Sequence, residues 1–507
     1  MTDMQSNLTG LIYHFTKIGT LFVCLLVLSG CLSNRTPTEV LQEFLGKATF
    51  PPHVEAELAR FEQVYYNVAP NADEEKLDYF RFAFKRIRSH YVRKIGERQL
   101  IDNAITGMKE FKEKSNAKFT IKMATESALR KMLASLDPHS GFMDAEEFRD
   151  SFSQTKGEFG GLGIQVTMQD SLIKVIAPIE DTPASRAGIQ AGDFITHIDG
   201  IPVLGKTLSE AVRIMRGAPG TSILLRIRRD ESSELDFRIV RAVIKVKAIR
   251  WKINGAVGYI RIIRFSEKTQ RELRKALIRI KAELGPGLTG IVIDLRNNPG
   301  GLLDQSVQVA DDFLDSGEIV SIRGRTPSNI RSYTAKKGDV VRGIPIVVLI
   351  NNGSASASEI VASALQFHGR ATIMGSTSFG KGSVQTIMPM PVEGALRLTT
   401  SLYYAPSGNT IQATGVTPDI VLLKANKRNQ NESINPNIPR EVDLPGAIKG
   451  LESLPIEGNI TFFETQCPVI GEEKGEEKDF ALMCALTYLK SGSIAQFRAA
   501  LNENSGT

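Results

Sequence analysis

Ile346-Val347-Val348-Leu349-Ile350-Asn351-Asn352-Gly353-Ser354-Ala355-Ser356-Ala357-Ser358-Glu359 joins five apolar residues to a glycine-bearing polar turn and a Ser/Ala alternation, after which an apolar run continues to Phe367. Five apolar residues closed by turn signals predict a strand buried on both faces, and the stretch from Ser356 to Phe367 predicts the helix it feeds. The same beat recurs to either side in Val257–Ile263, a helix near Thr269–Glu283, Ile291–Leu295, a helix after Leu303, and Ala371–Met374. Short buried strands alternating with helices predict an α/β core with a parallel-rich sheet, here assigned to residues 244–423.

A serine on a strand-to-helix turn stands among the unpaired N–H groups of a helix start, where a developing oxyanion is favoured. The small neighbours Ala355 and Ala357 leave room for a substrate backbone. Serines in such a run are ordinarily helix caps, so the turn alone leaves Ser354, Ser356 and Ser358 undecided. A second loop, Phe379-Gly380-Lys381-Gly382-Ser383-Val384-Gln385, follows the next strand. No histidine lies near either loop, and His368 reads as a charge at the end of the helix. A nucleophilic serine here needs another base, and a lysine in a glycine-lined loop fits. To accept a proton Lys381 must be neutral, its pKa brought by desolvation from about 10.4 toward about 7–8.

Upstream, Gly157 to Gly163 clusters glycines ahead of the β-rich runs Ile164–Met168, Leu172–Ala177 and Ile223–Ile227. Thr182-Pro183 and the capping box Thr207-Leu208-Ser209-Glu210 open two short helices. This 157–243 module resembles a PDZ domain, a small α+β fold. In such a fold a glycine turn before an edge strand offers converging N–H groups to a terminal carboxylate, and the peptide adds as a strand. Gly161, Leu162, Gly163 and Ile164 would form that turn, and Leu162, Ile164, Val212 and Met215 the wall of the side-chain pocket. Residues 31–156 read as a tether to Thr49 and then a helical region, with Leu77, Phe80, Phe84, Ile87 and Tyr91 on one stripe. A second stripe, Ile121 to Leu136, closes at Asp137-Pro138.

The chain start carries Lys17, the eleven-residue apolar run Ile18–Leu28, and Ser29-Gly30-Cys31. Eleven residues are about half of a bilayer-spanning helix, and the order of basic, apolar and small residues over 1–30 is that of a signal peptide. Leu28-Ser29-Gly30-Cys31 resembles a bacterial lipobox, which implies lipidation at Cys31, a membrane anchor and a periplasm-facing protein in the cell envelope. Leu32 in place of an aspartate leans toward the outer membrane. Cys467 and Cys484 remain in the body, as a disulfide in an oxidising compartment or as two buried thiols. The 507 residues carry 62 basic against 56 acidic side chains with no dense basic run, which argues against a nucleic-acid partner. Neither HExxH nor CxxC occurs, so no metal site is expected. Residues 424–507 read as a polar linker and an unassigned extension.

Six elements in order, Leu136-Asp137-Pro138-His139-Ser140, the PDZ-like module, Asp294-Leu295-Arg296-Asn297-Asn298-Pro299-Gly300-Gly301, Ser354–Glu359, Phe379–Gln385 and Gly415-Val416-Thr417-Pro418-Asp419, resemble the C-terminal-processing (tail-specific) peptidases. The resemblance implies a serine endopeptidase that uses no cofactor. That family's serine and lysine stand twenty-five positions apart, which selects Ser356 with Lys381. It implies that Gln385 orients the lysine amine, and that Ala357 and a glycine of the Asn-Pro-Gly-Gly turn form the oxyanion hole, Gly301 ahead of Gly300. Expected substrates are proteins or peptides with free apolar C-termini held by the PDZ module; an adaptor or activator protein is left open. The competing function is a catalytically silent PDZ scaffold in the envelope, and hydrolysis of a non-peptide ester or amide is a weaker third.

Overall fold

The computed structural model describes residues 50–505 apart from 71, 73, 115–118, 180, 207, 230–233, 246, 424–439, 451–459, 464–465 and 468–478. The Ile18–Leu28 run, Cys31 and the tether lie outside the described residues, as does Thr207 of the capping box. No helix among the described residues is long and apolar enough to cross a membrane. The chain forms two compact units, one ending at Ala145 and rejoined by Gln385–Ser401, the other running Glu146–Val384 and again from Leu402.

The first unit is helical. Pro52–Val68, Glu74–His90, Glu97–Lys114 and Ile121–Ala134 bury one stripe each, and the Phe61 and Phe80 rings stack with centroids 3.7 Å apart. Thr120 caps the fourth helix by accepting from the Met123 N–H. Beyond Asp137-Pro138 the chain turns into a short strand, Gly141–Met143, which pairs antiparallel with Ala395, Leu396 and Arg397. Leu396 and Leu398 of the facing strand, Ala395–Tyr404, join the helical core.

The second unit is built on seven strands in the order Ile249–Asn254, Val257–Ile262, Gly290–Asp294, Ile346–Ile350, Thr372–Gly375, Ile420–Leu423 and Ile460–Phe463. All neighbours are parallel except the first pair. The pleat sorts their side chains. Ile291, Ile293, Val348 and Ile350 meet the helices Thr269–Leu284, Leu303–Asp311 and Ala357–Phe367, whereas Val292, Val347 and Leu349 meet Phe480–Ser491. Each large aliphatic so buried stabilises by about 1.5–3 kcal/mol before entropy is counted. Glu146 onward also carries the small module. Its sheet runs Ile164–Gln169, Leu172–Pro178, Phe194–Ile198, Ser222–Arg228, Glu234–Val240, which leaves Ile164–Gln169 as an edge strand.

The stretch after Leu423, read from sequence as a linker and extension, returns to the core. Ile460–Phe463 adds the seventh strand, and Phe480–Ser491 covers the face opposite the other helices. That helix is apolar around most of its circumference, so it shows no one-sided stripe in sequence. A Cys467–Cys484 disulfide ties it back. Closing a loop of 17 residues stabilises by about 3 kcal/mol in the chain-entropy view. The Cys467→Ser/Cys484→Ser protein should therefore melt several degrees below the oxidised parent by calorimetry; equal melting temperatures would show that the crosslink stabilises nothing.

Candidate active site

Gly290–Asp294 and Ile346–Ile350 are parallel neighbours, so the turns leaving their C-terminal ends emerge side by side, where open α/β sheets place their sites. The two turns are laced together. Asn297 N–H donates to Asn351 Oδ1 and Asn351 Nδ2 to Asn297 Oδ1, both at 2.9 Å, and Ala355 N–H donates to the Asn298 carbonyl at 3.0 Å. Two of the three candidate serines are consumed by this lacing. Ser354 Oγ donates to the Leu295 carbonyl at 2.8 Å and Ser358 Oγ to the Asn298 carbonyl at 3.0 Å, both fully buried.

Ser356 is different. It stands at the N-cap of Ala357–Phe367 with φ 55° and ψ −112°, far from the extended backbone of an ordinary cap. Non-glycine residues hold such angles only when their surroundings over-determine them, at a cost of about 1–3 kcal/mol. The serine on the strand-to-helix turn of the nucleophile elbow is strained in the same sense. Its partner is Tyr403, whose phenol is pushed up to about 12 by burial, with the Ser356 hydrogen bond acting against the rise.

What holds Ser356 in place is Glu359, one turn into the helix and completely buried. Its Oε2 accepts the Ser356 N–H at 2.6 Å and the Lys381 N–H at 2.9 Å; its Oε1 accepts Ser378 Oγ at 2.6 Å and the Gly380 N–H at 2.7 Å. One oxygen thus gathers the main chains of the serine and the lysine from two loops. Desolvation raises the Glu359 carboxyl to about 7, with those four donors working to lower it. The lysine loop is fixed from its far side as well. Gly382 N–H donates to Gln412 Oε1 at 3.0 Å, and Tyr403 N–H donates to the Gly382 carbonyl at 2.7 Å.

The glycine turn lies against the nucleophile. Gly300 has φ 96°, and a Cβ there would meet Ser356 Cβ at 2.9 Å and the Ala357 nitrogen at 3.0 Å. The Gly300 N–H donates to Asn298 Oδ1 at 2.9 Å. Gly301 backs onto the Phe265 carbonyl, 2.0 Å from where its Cβ would stand. Among the described residues neither the Ala357 N–H nor the Gly301 N–H donates to any acceptor. Just before this turn, Arg296 grips Asp294 and, at 2.7 Å through two nitrogens, Asp479 of the returning segment. Burial opposes its charge, but the two carboxylates keep its pKa above the ordinary arginine value.

Other sequence-predicted residues fall as follows. His368 ends the helix with Nε2 2.7 Å from the Glu318 carbonyl. Gln385 belongs to the first unit, where its Nε2 donates to Thr399 Oγ1 at 3.3 Å. In the small module Leu162 and Met215 are buried, and Ile164 and Val212 pack half-buried against the same cluster. Gly161 pairs with Ala242, and the Gly163 carbonyl accepts from the Ile179 N–H. Sequence reasoning gave no role to Glu359 or Tyr403. The Ser356-x-x-Glu359 spacing is that of a capping box and was a usable signal for the first; nothing local marks the second.

Residues 256–422 match peptidase family S41 and residues 174–229 match a PDZ domain. The chain is 52% identical over 350 residues to the carboxy-terminal-processing protease of Bartonella bacilliformis, covering 69% of this chain and 75% of that one. It is 32% identical over 350 residues to a "probable CtpA-like serine protease" of Staphylococcus haemolyticus, covering 68% of this chain and 65% of the relative. Among solved structures it is similar to the photosystem II D1 C-terminal processing protease, at 26% identity and a TM-score of 0.45, covering 69% of this chain and 93% of that one.

The buried carboxyl carries a signature in stability. A carboxyl raised on folding stabilises most below its unfolded pKa and loses that contribution as pH rises through its folded value. From pH 4.5 to 7, the Glu359 contribution should fall by on the order of 3 kcal/mol. Chemical denaturation across that range should show this downward slope in the parent and a flatter one in Glu359→Gln; identical slopes would refute the assignment.

Proposed function

The chain belongs to peptidase family S41, as a carboxy-terminal-processing serine peptidase with a PDZ domain, and we propose that it cuts with Ser356 as nucleophile and Lys381 as general base. The observation that carries this reading is the single Glu359 oxygen accepting both main-chain N–H groups. It is supported by the commitment of Ser354 and Ser358 to backbone carbonyls and by the Ser356 backbone strain.

In this scheme Ser356 Oγ attacks the scissile carbonyl carbon as its proton passes to the neutral Lys381 amine. The carbonyl oxygen, now negative, is received by the N–H groups of Ala357 and Gly301, the two left without acceptors. Gly300 serves the hole by bringing its backbone close to Ser356. The ammonium returns the proton to the leaving amine. Lys381 then takes a proton from water, whose oxygen attacks the acyl carbon; as the bond from that carbon to Oγ breaks, the ammonium returns the proton to Ser356 Oγ and the free acid leaves. Gln385, four positions beyond the lysine in sequence, is the residue to which the family resemblance assigns the orienting of the amine. Both the lysine, which must be neutral, and Glu359, which accepts four donors only when ionised, favour alkaline pH.

The PDZ module takes the substrate's terminal carboxylate at the Gly161–Ile164 turn, with the tail added along the Ile164–Gln169 edge strand. Leu162, Ile164, Val212 and Met215 supply the apolar surface for its last side chain. Lipidation at Cys31 would tether the enzyme on the periplasmic face, a reading supported by the Leu28–Cys31 motif alone.

Ser356→Ala and Lys381→Ala should each slow trimming of an apolar-tailed protein by at least about 10³-fold while leaving the melting temperature close to the parent's. Cleavage products read by mass spectrometry check this, and a Ser356→Ala protein as fast as the parent would return the chain to the silent-scaffold reading. For the parent, kcat/KM should climb from pH 6 to pH 9; an acid optimum contradicts a lysine base.

A further inference from the structure

Residues 440–450 lie beyond the stretch that matches the peptidase family and have no role so far, yet they reach the lysine loop. The Glu441 N–H donates to the Phe379 carbonyl at 3.1 Å, two residues before Lys381. The Glu441 side chain is buried, and its Oε1 accepts Gln412 Nε2 at 2.8 Å. That nitrogen also donates to the Ile448 carbonyl at 3.0 Å, while Gln412 Oε1 accepts the Gly382 N–H, one residue after Lys381. The main chain of Gln412 lies just as close to the loop. A Cβ on Gly382 would stand 2.2 Å from the Gln412 nitrogen, and the Ala413 N–H donates to the Gly380 carbonyl at 2.8 Å. The Gln412 N–H itself goes to Thr410 Oγ1 at 3.1 Å.

A glutamine amide accepts at one end and donates at the other. At Gln412, which is fully buried, both ends are decided. The nitrogen faces a carboxylate oxygen and a carbonyl, and the oxygen faces a main-chain N–H. Turned over, the amide would set oxygen against two acceptors and nitrogen against a donor, each left unpaired out of reach of water. Glu441 and Ile448 therefore determine which atom Gln412 offers to the loop. Glu359 holds the Gly380 and Lys381 N–H groups, and Gln412 holds the next one along.

We propose that Gln412, its amide oriented by Glu441 and Ile448, is a positioning residue that sets the main chain from which Lys381 reaches as base. This rests on the reading of Lys381 as the general base. A loop released at Gly382 lets the amine swing into water, where it holds its proton more firmly and stands farther from its working geometry. Substrate binding, made elsewhere, is left as it was.

The test uses the full chain with a tailed protein substrate. Gln412→Met keeps the length of the side chain and removes both amide ends. It should lower kcat near neutral pH by about 10- to 100-fold, with KM within about twofold of the parent. The midpoint of its kcat–pH profile should move up by at least about half a unit, as a hydrated amine is harder to deprotonate. Glu441→Gln keeps an acceptor for the Gln412 nitrogen and should stay within about threefold of the parent, whereas Glu441→Leu should fall toward Gln412→Met. In the Lys381→Ala background, Gln412→Met should add no further loss, because the group it positions is already gone. Gln412→Asn, one methylene short of Gly382, carries the same comparisons if the methionine variant does not fold. Losses that multiply in the double variant, or an unmoved pH profile, would overturn the proposal and leave Gln412 a packing residue. Glu441→Gln as slow as Glu441→Leu would overturn the part given to Glu441. A parent-like rate in Lys381→Ala would instead remove the reading beneath the proposal. Slow Lys381→Ala beside a normal Gln412→Met would sink the positioning role alone.

Discussion

A carboxylate sealed in a dry core must find a partner for each lone pair or give up its charge. Glu359 meets that demand with donors drawn from two loops far apart in sequence, and the site is a consequence of how it does so. The residue is helical, so the nucleophile turn belongs to it by chain connectivity. Ser378, Gly380 and Lys381 belong to it only by hydrogen bonding. The chemistry therefore depends on a group that has no part in bond making.

The sheet supplies the complementary constraint. Parallel register between Gly290–Asp294 and Ile346–Ile350 brings their C-terminal turns level, and paired asparagines lock them at that level. Only then can a glycine turn rest on a strained serine. Gly300 is required twice over, by its positive φ and by the main chain behind it. The strain at Ser356 is tolerated because both flanks are held: Ala355 through Asn298, and Ser356 through Glu359.

Much of this is written locally. Strands buried on both faces announce themselves as unbroken apolar runs, and Ile346–Ile350 falls where its residues place it. Helix stripes such as Leu77, Phe80, Phe84 and Ile87 are equally plain. Partnerships made by tertiary structure are harder to see. Tyr403 sits on a strand whose alternation speaks only of packing, and its link to Ser356 spans nearly fifty residues. Thr399 looks like any β-branched strand residue until Asp137 is found beside it. The Phe480–Ser491 helix failed to declare itself because both its environment and its composition are apolar on most sides.

The grip of Asp479 on Arg296 sets an order of events during synthesis. Domains generally fold as units as the chain emerges, earlier segments first. When the nucleophile turn and the lysine loop have left the ribosome, the second carboxylate partner of Arg296, the seventh strand and the crosslinked helix are still to come. The shoulder of the glycine turn is therefore completed last, and a nascent peptidase lacks its final support until nearly five hundred residues have been joined.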